Sequence, residues 1–141
     1  MRFSVSNDLD NLAVAAERIN AFFGVHGVPR KAAFAINVSV DELLTNVIKY
    51  GYRDSDIHEI ELAVRIAGDE IVVEIHDDGV AFDPTLVKPA DTRALLRQRP
   101  IGGLGIHMTR KKMDRFVYRR EDGRNITIIA KSWRPAPAGT P

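Results

Sequence analysis

Apolar and polar residues alternate over "MRFSVS" (residues 1–6), so the chain is expected to open on a short β-strand. Asn7 and Asp8 are good helix N-caps, and from Leu9 the period changes. Leu12, Ala16, Ile19 and Phe23 recur at helical spacing until "GVHGVP" ends the pattern. Pro29 is tolerated in a first helical turn, so a second helix is expected from there to about Tyr50, closed by Gly51. Its core-facing stripe is Ile36, Val40, Leu43 and Val47. "HEIELAVRIAG" and "DEIVVEIHDDG" then alternate and are rich in β-branched residues, predicting a hairpin that turns at Gly68-Asp69. Residues 80–103 form a connection too long and polar for two strands, and are expected to be a lid. A helix to about Met113 follows, then a second hairpin over residues 114–132 that turns at Asp122-Gly123. The tail "RPAPAGTP" (residues 134–141) is small and proline-rich, and is expected to be disordered.

The predicted order is therefore β-α-α-β-β-lid-α-β-β. Strands joined by hairpins are antiparallel, which excludes a doubly wound parallel sheet. The expected fold is α+β, a two-layer sandwich in which helices cover one face of a mixed, mostly antiparallel sheet. One domain is expected over residues 1–133.

Composition narrows the chemistry. At 141 residues and 45% hydrophobic content, the chain can bury a core without disulfide or metal staples. The net charge of +1 gives no electrostatic case for direct nucleic-acid binding, and Arg110-Lys111-Lys112 is expected to be a solvated face beside acids such as Asp114. Absence of cysteine excludes disulfides, thiolate metal sites and thiol catalysis. The four histidines show no paired metal-ligand spacing. With no bilayer-length apolar run and no leader pattern, a cytoplasmic protein without membrane contact is expected.

Three stretches could carry chemistry. In "VDELLTNVIKYGY", Glu42 and Asn46 are four residues apart on one helix flank, with Lys49 a further turn along. This is either a solvated helix edge or a row holding an acid or base, a neutral metal-ligand oxygen and a phosphate-binding ammonium. In "IHDDGVAFDP", Asp77 closes a strand, either as a turn residue or as an acceptor for an exocyclic amine such as that of adenine. Gly79 and Ala81 would then leave room for a flat ring. In "GGLGIHM", glycines run into a helix start, whose unpaired N–H groups suit a phosphate. Met108 spoils a Rossmann reading of this stretch, and a P-loop would need Gly-Lys-Ser/Thr.

Glu42-x-x-x-Asn46, Asp77-x-Gly79-x-Ala81-Phe82-Asp83-Pro84 and Gly102-Gly103-Leu104-Gly105 resemble, in order, the N, G1 and G2 boxes of the GHKL ATPases. Within that group the chain most resembles the stand-alone bacterial anti-sigma-factor serine/threonine kinases, through "DELLTNVIKYGY", "DDGVAFDP", "GGLGIHMTRKKMD" and "YRREDGRNITIIAK". The resemblance implies a Bergerat-type ATP-binding fold, ATP and magnesium as cofactors, and phosphoryl transfer to a protein serine or threonine. It implies that Asn46 holds magnesium, that Glu42 is the base on the attacking hydroxyl, and that Asp77 binds the adenine amine. Gly79 and Ala81 would shape the adenine floor, although Ala81 stands where many GHKL proteins have a second glycine. Gly103, Leu104 and Gly105 would wrap the phosphates, with Lys49 as a phosphate contact. A lid arginine, Arg97 or Arg99, would meet the terminal phosphate, with Arg99 the expected contact. The implied partners are an anti-sigma-factor antagonist, as substrate, and a sigma factor, with a homodimer left open. The rival readings are a non-catalytic ATP-regulated binding module and a detached histidine-kinase ATP-binding domain.

Overall fold

A computed structural model describes residues 1–87 and 103–133, apart from the side chains at 103 and 104. Residues 88–102, with Gly102, Arg97 and Arg99, and the tail 134–141 lie outside the described residues. Strand β1 (Arg2–Ser6) ends in a turn made by Asp8. Its Oδ1 accepts the N–H of Asp10 at 2.8 Å and its carbonyl accepts that of Asn11 at 2.9 Å. That turn delays helix α1 to Asn11–Val25, later than the expected start at Leu9. The helix buries Ala15, Ile19 and Phe23, so the inward row continues through Ala15, and Ala16 lies half-buried beside it. The chain leaves α1 through Gly27, whose φ of +70° lets Val28 N–H reach Phe23 O at 3.0 Å.

Helix α2 (Arg30–Tyr50) follows Pro29, whose extended backbone makes it the N-cap residue. A proline costs little there, because the first helical N–H groups have no intrahelical partner. The buried row includes Ile36, Val40 and Leu43, with Val47 half-buried at the end that meets the sheet. Gly51 closes the helix through its N–H to Val47 O, at 2.8 Å.

Two hairpins build the rest of the sheet. In the first, β2 (Glu59–Ala67) and β3 (Glu70–Asp77) pair Ala67 with Glu70, leaving Gly68 and Asp69 as the turn. In the second, β4 (Arg115–Glu121) and β5 (Arg124–Ser132) turn through Asp122 and Gly123, at φ of 51° and 74°. Positive φ at both central residues matches the twist of the flanking strands. The strand order is β1-β2-β3-β5-β4, and every pairing is antiparallel. The hairpins thus join through their more apolar second strands, which leaves the polar β4 and short β1 as edges.

Helices α1, α2 and α3 (Gly103–Lys112) cover one face. There Ile60, Leu62, Ile71, Val73, Ile75 and Ile129 meet Ile19, Phe23, Ile36, Val40, Leu44 and Ile106 in one core. The other face carries polar side chains, including the pairs Arg2–Glu61 and Arg115–Glu70. One basic residue departs from the expected solvated face. Arg110 is half-buried, and its Nη2 donates to Thr85 O at 3.1 Å and Val87 O at 2.6 Å. It ties α3 to the short 3-10 turn at Pro84–Leu86, because the carbonyls at the end of that turn need donors. No helix among the described residues is long and apolar enough to cross a membrane.

Candidate active site

The last turns of α2 stand over the ends of β3 and β5, and a cavity of about 270 Å³ lies between them. Leu43, Val47, Ile75, Val80 and Phe82 supply most of its apolar wall, while Asn46, Asp77, Asn125 and Thr127 supply polar groups. A small apolar pocket with a few convergent polar groups is the usual form of a small-molecule site.

Asp77 is almost fully buried, 3% exposed, at the end of β3. Among the described residues its Oδ1 accepts from Gly79 N–H at 3.0 Å and from Asn125 Nδ2 at 2.9 Å. Burial raises its pKa above that of an ordinary aspartate, and these two donors partly offset the rise. Asn125 faces Asp77 because β3 and β5 pair in that register. Its own Oδ1 accepts from Tyr118 Oη at 2.5 Å and Arg120 Nη1 at 2.8 Å, and its Nδ2 also donates to Val80 O at 2.8 Å. Two donors on the oxygen settle which way the amide faces. The sequence reading missed Asn125 and Thr127. The available signal was polarity in "NITIIA": asparagine is depleted in strands, so one opening a buried strand needs a local reason.

Gly79 does not line the cavity. It is buried beside it, and a Cβ there would come within 2.6 Å of Gly51 O and 3.0 Å of Asp77 Oδ1. The glycine lets the loop after β3 cross the end of α2, where Val80 N–H bonds to Gly51 O at 2.8 Å. Gly79→Ala is therefore expected to destabilise the protein by ~1–3 kcal/mol, the usual cost of overpacking against atoms that cannot move freely. Urea unfolding of both proteins measures it, and equal midpoints would show that the seam can yield. Ala81 is exposed and lines the cavity, with Phe82 beside it.

Glu42 lies one helical turn before Asn46 on the same side of α2. Its Oε1 is buried with no hydrogen-bond partner among the described residues. Desolvation raises its pKa and Asp41 adds to the rise, while the Asn46 amide and the Lys49 ammonium oppose it. Lys49 is exposed on the last turn of α2, away from the cavity lining. Gly103, Leu104 and Gly105 form the first residues of α3, and Gly105 abuts Glu42.

The family model of the histidine kinase-like ATPase domain matches residues 5–131. The serine/threonine-protein kinase BtrW of Bordetella bronchiseptica is 32% identical over 101 residues, which is 70% of this chain and 70% of the relative. The serine-protein kinase RsbW of Bacillus cereus is 24% identical over 112 residues, 72% of this chain and 69% of that one. Among solved structures, the SiaB–SiaC complex from Pseudomonas aeruginosa superposes with a TM-score of 0.59 at 16% identity, covering 93% of this chain and 88% of that one. That likeness is one of fold, the two-layer arrangement described above. The chain belongs to the histidine kinase-like ATPase family.

Proposed function

We propose that the protein is an ATP-dependent serine/threonine kinase and anti-sigma factor, which phosphorylates an anti-sigma-factor antagonist and sequesters a sigma factor in the cytoplasm. The observation that carries the reading is Glu42: a half-buried carboxylate, one oxygen of which has no partner among the described residues, one turn from the cavity-lining Asn46. The kinase relatives BtrW and RsbW support the activity by similarity.

In this reading the adenine enters the cavity and its amine donates to Asp77, whose Oδ1 is already held by Gly79 and Asn125. Asn46 would hold magnesium through its amide oxygen, and an oxygen ligand suits that ion. When bound, magnesium neutralises charge on the phosphates. The N–H groups of Gly103 and Leu104, at the start of α3, would receive the phosphates, with Lys49 and Arg97 or Arg99 as their basic contacts. As the serine or threonine oxygen forms its bond to the terminal phosphorus, the bond from that phosphorus to the bridging oxygen breaks and ADP leaves. The hydroxyl proton passes to Glu42. Its raised pKa brings the base closer to neutral working pH, which favours that transfer.

The direct test is incubation with labelled ATP, magnesium and candidate antagonist proteins encoded near the gene. Transfer to serine or threonine supports the kinase, and failure with every candidate leaves an ATP-regulated binding module in its place.

A second test addresses the base pocket. Asp77→Asn is expected to weaken ATP by about tenfold, the scale of a hydrogen bond to a charged group, and to relax the preference for adenine over guanine. An amide can donate toward the guanine carbonyl, whereas a carboxylate only accepts. Wild-type affinity should also fall on acidification, starting above the ordinary aspartate range because burial raises the Asp77 pKa. The affinity is full above that raised pKa and is lost as pH falls through it. The same shift has the opposite sense for folding: a carboxyl that ionises less readily when folded costs stability as pH rises. Calorimetry with ATP and GTP across pH decides the matter. An unchanged base preference in Asp77→Asn would make Asp77 a turn residue only.

A further inference from the structure

Gly105 sits inside helix α3 without the left-handed backbone that makes glycine necessary at Gly27, Gly68 and Gly123. Alanine is the better helix former at such a position, so the backbone alone gives no reason for glycine. The reason lies across the seam with α2. A Cβ on Gly105 would fall well inside 3.0 Å of Glu42 Cγ, Cδ and Oε2, closer than real Cβ atoms approach other groups. The start of α3 has little freedom to retreat. Ile106 is 1% exposed and Thr109 is fully buried. Thr109 Oγ1 also donates to Gly105 O at 2.8 Å, and Arg110 is tied to the carbonyls of Thr85 and Val87. An added methyl would move the carboxylate rather than the helix, because the carboxylate is the free end of a side chain.

We propose that Gly105 is a positioning residue for Glu42: the volume left by its missing Cβ is the seat of the carboxylate. This rests on the reading of Glu42 as the base, and gives Gly105 a role distinct from wrapping phosphates. The two roles separate by measurement. If Gly105 serves the phosphates, a side chain there costs nucleotide affinity. If it seats the base, the cost falls on transfer while affinity survives.

The experiment uses Gly105→Ala in the full chain, which should fold because alanine favours the helix. Magnesium-ATP affinity is read by calorimetry, phosphoryl transfer to the antagonist in single turnover, and the position of the Glu42 side chain by crystallography of both proteins. Affinity should change by less than about threefold, whereas transfer should fall by about tenfold or more, as for a misplaced reacting group. The Glu42 carboxylate should be displaced from the place opposite Gly105 that it fills in the wild type. A loss of ATP affinity equal to the loss of transfer would overturn the proposal, and so would a Glu42 side chain that keeps its wild-type place in the variant. If the wild-type protein transfers no phosphate, the kinase reading fails, while the position of Glu42 in the variant still decides whether Gly105 seats the carboxylate.

Discussion

Glu42→Gln is expected to lower phosphoryl transfer to the antagonist by about a hundredfold or more, the scale of losing a general base. Magnesium-ATP affinity and sigma-factor capture should barely change. Glutamine keeps the length and much of the hydrogen bonding, but its amide cannot take the hydroxyl proton. The position supports a clean separation: Glu42 is absent from the cavity lining, while Asn46, one turn later, is part of it. The glutamine should also keep its seat, since the space opposite Gly105 accommodates a side chain of this shape. A further signature lies in pH. Wild-type transfer should fall as pH drops through the raised Glu42 pKa, and the small residual activity of the variant should lack that limb. Rapid-quench measurement with labelled ATP reads both effects. Transfer at the wild-type rate by Glu42→Gln would remove Glu42 from catalysis.

Asn46→Ala should largely abolish magnesium-dependent ATP binding. Loss of an outer-shell partner alone typically costs a metal site about ten- to a hundredfold in affinity, and a direct ligand should cost at least that much. Alanine is favourable in a helix, and Asn46 is only half-buried, so α2 should persist and the loss should be local. The expected pattern is specific: magnesium strengthens ATP binding to wild type, whereas the variant binds equally weakly with and without it. Calorimetric titration of both proteins with ATP, with magnesium and with EDTA, reads this difference. Equal magnesium-dependent tightening in both would take Asn46 out of the metal site.

Most of the secondary structure was legible in the sequence because local rules dominate there. Both hairpin turns fall at the expected pairs, Gly68-Asp69 and Asp122-Gly123, since Gly68, Asp122 and Gly123 take a positive φ that few other residue types tolerate. The boundary of α1 was less legible. Asp8 satisfies two N–H groups in a turn of its own, so a good capping residue delayed the helix instead of starting it. In the sequence Arg110 looks as solvated as its neighbours, because three consecutive basic residues are alike in one dimension. Only the packing of α3 on the 3-10 turn distinguishes it from Lys111 and Lys112, which are exposed.

The sequence by itself determined the order of elements, the antiparallel character of each hairpin, and the flank of α2 that carries Glu42, Asn46 and Lys49. Each of these depends on residues only a few positions apart, where backbone geometry leaves little choice. The tertiary structure alone decided which strands from the two hairpins meet. Pairing β3 with β5 sets Asp77 opposite Asn125, 48 residues away, and turns a strand-end acid into a buried, hydrogen-bonded acceptor. The approach of α3 to α2 likewise decided that Gly105 faces Glu42, and the crossing of the β3 loop over Gly51 decided why position 79 is glycine. These are contacts between segments whose separation along the chain encodes no distance. They arise when apolar faces are buried together, and that burial depends on the whole core.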